Sequence, residues 1–464
     1  MVFSSAVFIF IFLPIVFVLN CIIPKKWSNI FLLLASLFFY AWGEPVYVLL
    51  MLFTITLNWI IGIGISKFEQ YSKIILSLGV VCDLSILMYF KYTNFFIRSL
   101  NTVFGREIIA QTNILLPIGI SFFTFQSISY IVDVYRKDTE ASKNFINVAL
   151  YIAYFPQLIA GPIVKYKEIN MQIMDRTVTS AGIAEGFRRF IYGLGKKVII
   201  SNILGKSAEI VFMLPIEQVG FKSAWLSVII SATQIYYDFS GYSDMAIGLG
   251  KMFGFDIPEN FIYPYTSKSI TEIWRRWHIS LGTWFREYVY IPLGGSKKGN
   301  IRTYVNLMIM FVLTGFWHGA SLSFIAFGIW NGFFMVIERA GFKKVLDKMK
   351  VFPYVYTMGS WWFAYVLFKI NDIPRCVSWW EKMVKFWEIN EKELPVGQYM
   401  SQISWTVLIG SVFGWGIIQR VIPEKVKSKW KFSIPEWIFC VAVLLLSCAY
   451  IAGDTYNPFI YFQF

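Results

Sequence analysis

Charge is scarce in this sequence. Asp, Glu, Lys and Arg supply 15% of its 464 residues, where an ordinary soluble domain carries about 25%. Histidine is scarcer: the chain has two. The five cysteines, Cys21, Cys82, Cys376, Cys440 and Cys448, form no C-x-x-C pair. The low charge excludes a disordered chain and a conventional soluble enzyme. The cysteine spacing excludes a disulfide framework and a thiolate metal site, and neither histidine sits in a haem-attachment or carboxylate–histidine ligand pattern. We therefore expect no metal and no cofactor, and cysteine thiols buried in apolar runs. Internal repeats are lacking too, which speaks against a transporter built from inverted halves. The opening MVFSSAVFIFIFLPIVFVLNCII has neither a basic start nor a small-residue cleavage site. It reads as a first spanning helix rather than a signal peptide, with Pro14 tolerated inside it.

What is abundant is apolar: 57% of the residues are hydrophobic and 19% aromatic. Runs long enough to cross a bilayer, about 17–25 residues, recur near 3–23, 28–42, 45–65, 74–90, 116–134, 144–163, 186–213, 222–252, 303–338 (two helices), 354–370, 400–420 and 435–452. The expected fold is all-α, a polytopic integral membrane bundle of about 11–13 spanning or re-entrant helices, read as one domain over 1–464.

Basic residues outnumber acidic ones, 42 to 28, for a net charge of +14. In a soluble protein that excess would suggest nucleic acid. Here the cations lie in short loops beside apolar runs, as cytoplasmic loops do, with anionic lipid as their contact. No nucleic-acid partner is expected. Lys25 and Lys26 follow the first run and place the N-terminus outside. Arg420, Lys425, Lys427, Lys429 and Lys431 precede the last run, which puts that loop inside and the aromatic tail 453–464 outside. Lys165, Lys167, Arg188, Arg189, Lys196 and Lys197 all ask to be cytoplasmic, which simple alternation of spans does not allow; a re-entrant segment would resolve this.

The stretch 264–302 is too polar to span. On a helix, Trp274, Trp277, His278 and Leu281 share one face, and Glu272 pairs with Arg276 at i, i+4 on another. It reads as an amphipathic helix at the cytoplasmic surface, ending in the Gly-rich basic turn PLGGSKKGN.

Few residues here can carry chemistry. His318 sits in LTGFWHGASLSF, inside an apolar run, flanked by Gly315 and Gly319. Ionisable groups at membrane depth are costly and functional by default. The glycines let a helix or a slender substrate approach, and imidazole suits general-base work near neutral pH. A histidine bonded to a neighbouring helix explains the same feature equally well. His278 either lines the inner mouth of that cavity or caps a Trp-rich interfacial face, and on its own the second reading leads. YYDFSGYSDMAIGLG places Asp238 and Asp244, with Ser240, in a long apolar segment. They mark either a path through the membrane or a network that satisfies a helix break. Arg275, Arg276, Arg286, Lys297 and Lys298 could bind phosphates, but plain positive-inside charge accounts for them.

In combination these motifs say more. RRWHISLGTWFREYVYIPLGG and GFWHGAS, preceded by DFSGYSDMAIGLG, resemble the membrane-bound O-acyltransferase family. MVFSSAVFIFIFLP, LLPIGISFFTFQSISYIVDVYR, LIAGPIVKY and the closing PFIYFQF resemble its branch that O-acetylates bacterial polysaccharides such as alginate and peptidoglycan. The resemblance implies a many-helix fold with an axial tunnel. It implies that His318 is the catalytic histidine, that His278 is the second motif residue on the cytoplasmic side, and that Asp238, Ser240, Asp244 and Trp317 belong to the tunnel network. It further implies a cytoplasmic thioester donor, acetyl-CoA as a substrate, with Arg275, Arg276 and Lys298 at the inner mouth for its phosphates. Outside, it implies a polysaccharide acceptor and an SGNH-type partner transferase. Tyr461, in the outer tail, is then a covalent acyl relay rather than an interfacial anchor. D-alanyl transfer from a carrier protein to teichoic acid is the nearest alternative; the aromatic tail fused to the chain favours acetylation. A proton-coupled transporter and a docking scaffold are the alternatives from other classes.

Overall fold

The computed structural model describes residues 1–453. The fold is all-α as expected. Among the described residues there is no β-strand, only an isolated antiparallel bridge between Phe261 and Trp277. Four helical segments among them are long and apolar enough to cross a membrane: Tyr47–Lys67, Glu69–Phe104, Leu322–Leu346 and Ile434–Gly453. Several other apolar runs are broken. The run at 144–163 folds as Phe145–Ala153 and Phe155–Leu158, and the run at 186–213 passes through a wide i→i+5 turn at Lys196–Ser201. Such breaks survive at membrane depth where protein groups satisfy the freed backbone. The chain packs as two compact units, Met1–Phe190 with Asp244–Pro258, and Ile191–Ser243 with the chain from Glu259 onward.

In the first unit α1 (Leu13–Ile22) and α2 (Lys25–Ala41) precede α3 (Tyr47–Lys67) and α4 (Ser72–Phe104), and the last two pack on α5 (Ile120–Tyr135). α5 is buried nearly all round, polar residues Ser121, Thr124, Gln126, Ser127, Ser129 and Asp133 included. α4 is two-faced. Ile74, Leu78 and Val81, each about 60% exposed, form an outer stripe at helical spacing suited to lipid, while Gly79, Asp83 and Leu87 face inward. There the Asn58 amide donates to Asp83 Oδ1 at 2.9 Å, so the acid is not left alone in an apolar setting. α6 (Phe145–Ala153), α7 (Phe155–Leu158) and α8 (Tyr166–Met174) follow, then α9 (Ser180–Gly195), which belongs to this unit as far as Phe190. Lys165 and Lys167 pair with Glu168 and Asp138, at 2.7 and 3.0 Å.

The cysteines correct one expectation. Cys376 and Cys440 are buried, but Cys21 and Cys82 are exposed. In a membrane protein an apolar run faces lipid as readily as core, so apolar neighbours do not imply burial.

The second unit takes α10 (Asn202–Met213) and α11 (Phe221–Met252) as far as Ser243. Two short helices follow, α12 (Ile270–Trp274) and α13 (Ile279–Phe285), then the pair α14 (Asn300–His318) and α15 (Leu322–Ile337). α16 (Lys343–Leu346), α17 (Phe352–Lys369) and α18 (Ile373–Val384) lead to α19 (Gln402–Phe413), α20 (Ile417–Val421), α21 (Glu424–Trp430) and α22 (Ile434–Gly453). The reading of 303–338 as two helices holds. Ser321 ends the turn between them by accepting from Phe324 N–H, as an N-cap does. α14 and α15 meet backbone to backbone. A Cβ at Gly315 would lie 2.2 Å from Phe324 O, and one at Gly328 would lie 2.3 Å from Phe311 O. A small-residue crossing of this kind lets a membrane hairpin close through dispersion contacts alone.

Gly315→Ala should therefore lower the stability of the detergent-purified protein by about 1–3 kcal/mol, the usual cost of overpacking. Gly359, in α17, has nothing within 4 Å of an added Cβ, so Gly359→Ala should melt at or above the wild-type temperature. Equal melting of the two variants would mean that the crossing is not tight.

Candidate functional site

The site lies in the second unit, around the end of α14. His318 is the last residue of that helix and is 3% exposed. Phe368 stands edge-on to its ring at a centroid distance of 5.3 Å and Phe327 edge-on at 6.1 Å. A small cavity opens beside it, walled by Trp274, Trp277, Phe327, Trp361, Tyr365 and Phe368, with Ile235 closing one side. Its free volume is about 10 Å³, room for about one water molecule. The histidine is thus the one imidazole in an aromatic lining that also holds the phenol of Tyr365. That phenol is tied to α11, where it shares a 2.8 Å bond with Ser231 Oγ and donates to Ser231 O at 3.0 Å.

Gly315 and Gly319 do what their spacing suggests: α15 approaches closely. A Cβ at Gly319 would lie 2.3 Å from the Phe324 ring, whose plane stacks near His318 at 6.5 Å.

His278 is not on a continuous amphipathic helix. The segment breaks after Trp274, and His278 itself takes left-handed angles, φ 48° and ψ 51°, before α13 begins. Such a conformation is uncommon for a residue with a Cβ and persists only where surrounding bonds impose it. They come from Asn260. Ile279 N–H donates to Asn260 O at 3.0 Å, and two residues on Ile262 N–H donates to Arg276 O at 2.9 Å. Trp274, Trp277 and His278 are consequently buried, the last completely, where a surface helix would have left them at an interface.

The side chain of Asn260 also fixes the histidine's tautomer. Its Oδ1 accepts from Ser280 N–H at 3.2 Å and from Ser280 Oγ at 2.9 Å, while its Nδ2 donates to Ser243 Oγ at 3.1 Å. A backbone N–H can only donate, so this orientation of the amide is set. Nδ1 of His278 lies 3.2 Å from the same oxygen and must carry the proton. Nε2 is left with the lone pair. Burial first, and then the neighbouring His318, hold this imidazole well below the ordinary histidine range, so it is neutral at pH 7.

Trp317 packs on both histidines, its ring 5.9 Å from His278 and 5.0 Å from His318. The other face of the His278 site is Phe239, edge-on at 4.7 Å. One residue before it, Asp238 holds Lys197 at 2.6 Å, both side chains at most 2% exposed. Lys197 comes from the wide turn after α9. Breaking a buried pair by removing one partner costs about 3–5 kcal/mol, so this contact ties that turn to α11.

The structure thus brings His278, Trp317 and His318 together, with Asp238 one residue from the ring that His278 touches. Ser240 is buried on the same helix. Asp244 is placed otherwise. It belongs to the first unit, where Arg189 donates to its Oδ1 from Nε at 3.1 Å and from Nη2 at 2.8 Å. Arg276 is engaged by Glu272 at 2.6 Å, the expected i, i+4 pair. Arg275 and Lys298 are exposed and do not line the cavity. Tyr461 lies outside the described residues.

Two positioning groups escaped sequence reasoning besides Asn260. Glu338, at the end of α15, is 1% exposed. It accepts from Ile270 N–H (2.6 Å), Thr271 N–H (2.9 Å), Thr271 Oγ1 (2.5 Å) and Tyr356 OH (3.2 Å), which anchors α12. Asn331 accepts from Trp274 Nε1 at 3.0 Å and so orients a cavity wall. Polar residues closing the apolar run 303–338 were the available signal.

Among the described residues the architecture is strand-free, with several apolar helices and an imidazole at an interior hairpin. The sequence profile of the membrane-bound O-acyltransferase family matches residues 120–380, more than half of the chain, and the chain belongs to that family. It is 40% identical to a Pseudomonas putida protein named "Probable alginate O-acetylase AlgI" over the full length of both. It is 31% identical to the peptidoglycan O-acetyltransferase of Helicobacter pylori, covering all of this chain and 98% of that one. It is 28% identical to the teichoic acid D-alanyltransferase of Streptococcus thermophilus, over 49% of this chain and 58% of the relative.

Asn260→Asp keeps the acceptors that hold Ser280 and His278 but adds a negative charge beside Nδ1, which favours imidazolium. The acidic limb of the pH–activity profile should move to higher pH, with a lowered melting temperature because Asn260 is buried and its Nδ2 bond to Ser243 is lost. A folded variant with an unmoved profile would mean that the state of His278 does not govern turnover.

Proposed function

We propose that the protein moves an acetyl group from cytoplasmic acetyl-CoA to a polysaccharide outside the membrane, with His318 as general base. The observation that carries this reading is the placement of His318, a lone imidazole at the end of α14 in a chamber of about one water's volume. A hydroxyl and a thioester carbonyl meet beside that imidazole. His318 takes the hydroxyl proton as oxygen bonds to the carbonyl carbon. The C–S bond then breaks, and the coenzyme leaves as thiolate and takes up a proton. A thioester is already activated, so holding the two groups together and supplying one base suffices, while the aromatic walls keep out competing water.

The basic loops support an inside donor and an outside acceptor, with both termini outside. The exposure of Arg275 and Lys298 supports contact with the donor's phosphates. Relatives matched over their whole length carry acetylation in their names, whereas the D-alanyl relative is matched over about half, which favours acetyl over D-alanyl transfer. Beyond the membrane, the acetyl group passes to the polysaccharide, alginate-like or peptidoglycan, through an SGNH-type partner. Tyr461 in the tail is the relay: once its phenol is deprotonated by His318 it can take the acetyl group as an ester and pass it on.

His318→Ala should lower polymer-bound acetyl by about 10²–10⁴-fold, the scale of a lost general base, while the protein stays folded in the membrane. Wild-type acetylation by that variant would remove the assignment.

Tyr461→Phe keeps the ring and removes the hydroxyl. It should abolish polymer acetylation, and an acetyl-tyrosine peptide should be found by mass spectrometry in the wild-type protein. Full acetylation without such a peptide reduces the tail to an anchor.

A further inference from the structure

The proposed base leaves a question that the cavity answers: how long an acyl group can it serve? The free space beside His318 is about 10 Å³, and about 10–15 Å³ of such space holds one water. A methyl group is of that size, and each further methylene asks for as much again. The wall cannot yield easily. Phe327 and Phe368 pack on each other at 5.4 Å, both edge-on to His318. Trp361 stands behind Phe327 at 6.4 Å and is wedged between Trp277 at 5.3 Å and Trp274 at 5.9 Å. Phe327, Phe368 and Trp361 are all at least nine-tenths buried, and interiors packed at this density move little to admit extra volume.

We infer that Phe327, backed by Trp361, is the acyl-length determinant of this enzyme: the wall admits the methyl of an acetyl group and turns longer acyl chains away. This rests on the reading of His318 as the base. Phe327 is the better probe, because Trp361 also packs on Trp274 and Trp277 and its removal would disturb those contacts, whereas Phe327 contributes ring volume alone.

The experiment uses membranes of cells that make the full chain and its polymer, supplied with equal acetyl-, propionyl- and butyryl-CoA, and reads polymer-bound acyl groups by mass spectrometry. A hydrophobic pocket discriminates one methylene by about 10–200-fold. Wild type should prefer acetyl over propionyl within that range. Phe327→Leu should narrow the preference and Phe327→Ala should narrow it further, by about tenfold or more. Should Phe327→Ala not fold, Phe327→Leu and Ile235→Val, smaller changes in the same wall, carry the same test. A wild type that uses propionyl as readily as acetyl overturns the inference, and so do folded variants that keep the wild-type ratio. His318→Ala run alongside separates the two claims. If it transfers as well as wild type, the base reading fails and the length determinant with it. If it is inactive while the acyl ratios do not move, the length determinant alone fails.

Discussion

A polar group inside a membrane protein has no bulk water to fall back on, and the second unit is ordered by that constraint. Several buried polar side chains around the site are held by defined partners. Asn260 takes up Ser280, Ser243 and Nδ1 of His278. Glu338 takes up the start of α12 and Tyr356, and Asp238 takes up Lys197. An unpaired buried polar group costs about 1–3 kcal/mol and a charged one more, so these arrangements are the few that the segment 260–280 can adopt. The left-handed His278 follows from them, as does the neutral imidazole with its proton on Nδ1.

The second constraint is packing. With lipid as apolar as leucine, no hydrophobic force drives two helices together, and α14 meets α15 because glycine lets the backbones touch. That contact puts the end of α14, and His318 with it, among the aromatic rings of α15 and α17. A cavity of about one water's volume, walled by aromatic rings, results. Such narrowness serves the proposed chemistry in two ways. It limits water at the thioester, and low polarity strengthens any interaction with developing charge.

The two histidines therefore have different surroundings although both are buried. His278 gives its Nδ1 to Asn260 and packs its ring on Phe239 and Trp317. His318 borders open space. Of the two, it is His318 that lines the cavity, and His278 lies on the other side of Trp317. The motif resemblance pointed to the same pair, and the structure gives its two members different surroundings.

Much of this was legible in the residues. Scarce charge and long apolar runs fix a multi-pass all-α protein, because only a helix satisfies its own backbone in lipid. The polar interruption HGAS in an apolar run marks the hairpin turn, with Ser321 as its cap, and Gly315 announces a close crossing. The i, i+4 pair Glu272–Arg276 is local and was readable for that reason. Tertiary structure alone decided the rest. Periodicity puts Trp274, Trp277 and His278 on one helix face, yet Asn260, eighteen residues earlier, breaks that helix and buries all three. Hydropathy cannot tell a lipid-facing cysteine from a core one. Asp238 and Asp244 sit six residues apart in one motif, but one binds Lys197 and the other Arg189. Sequence determines which groups cannot be left in water or in lipid; which partner each finds is set by long-range packing, and that information is carried by residues far away along the chain.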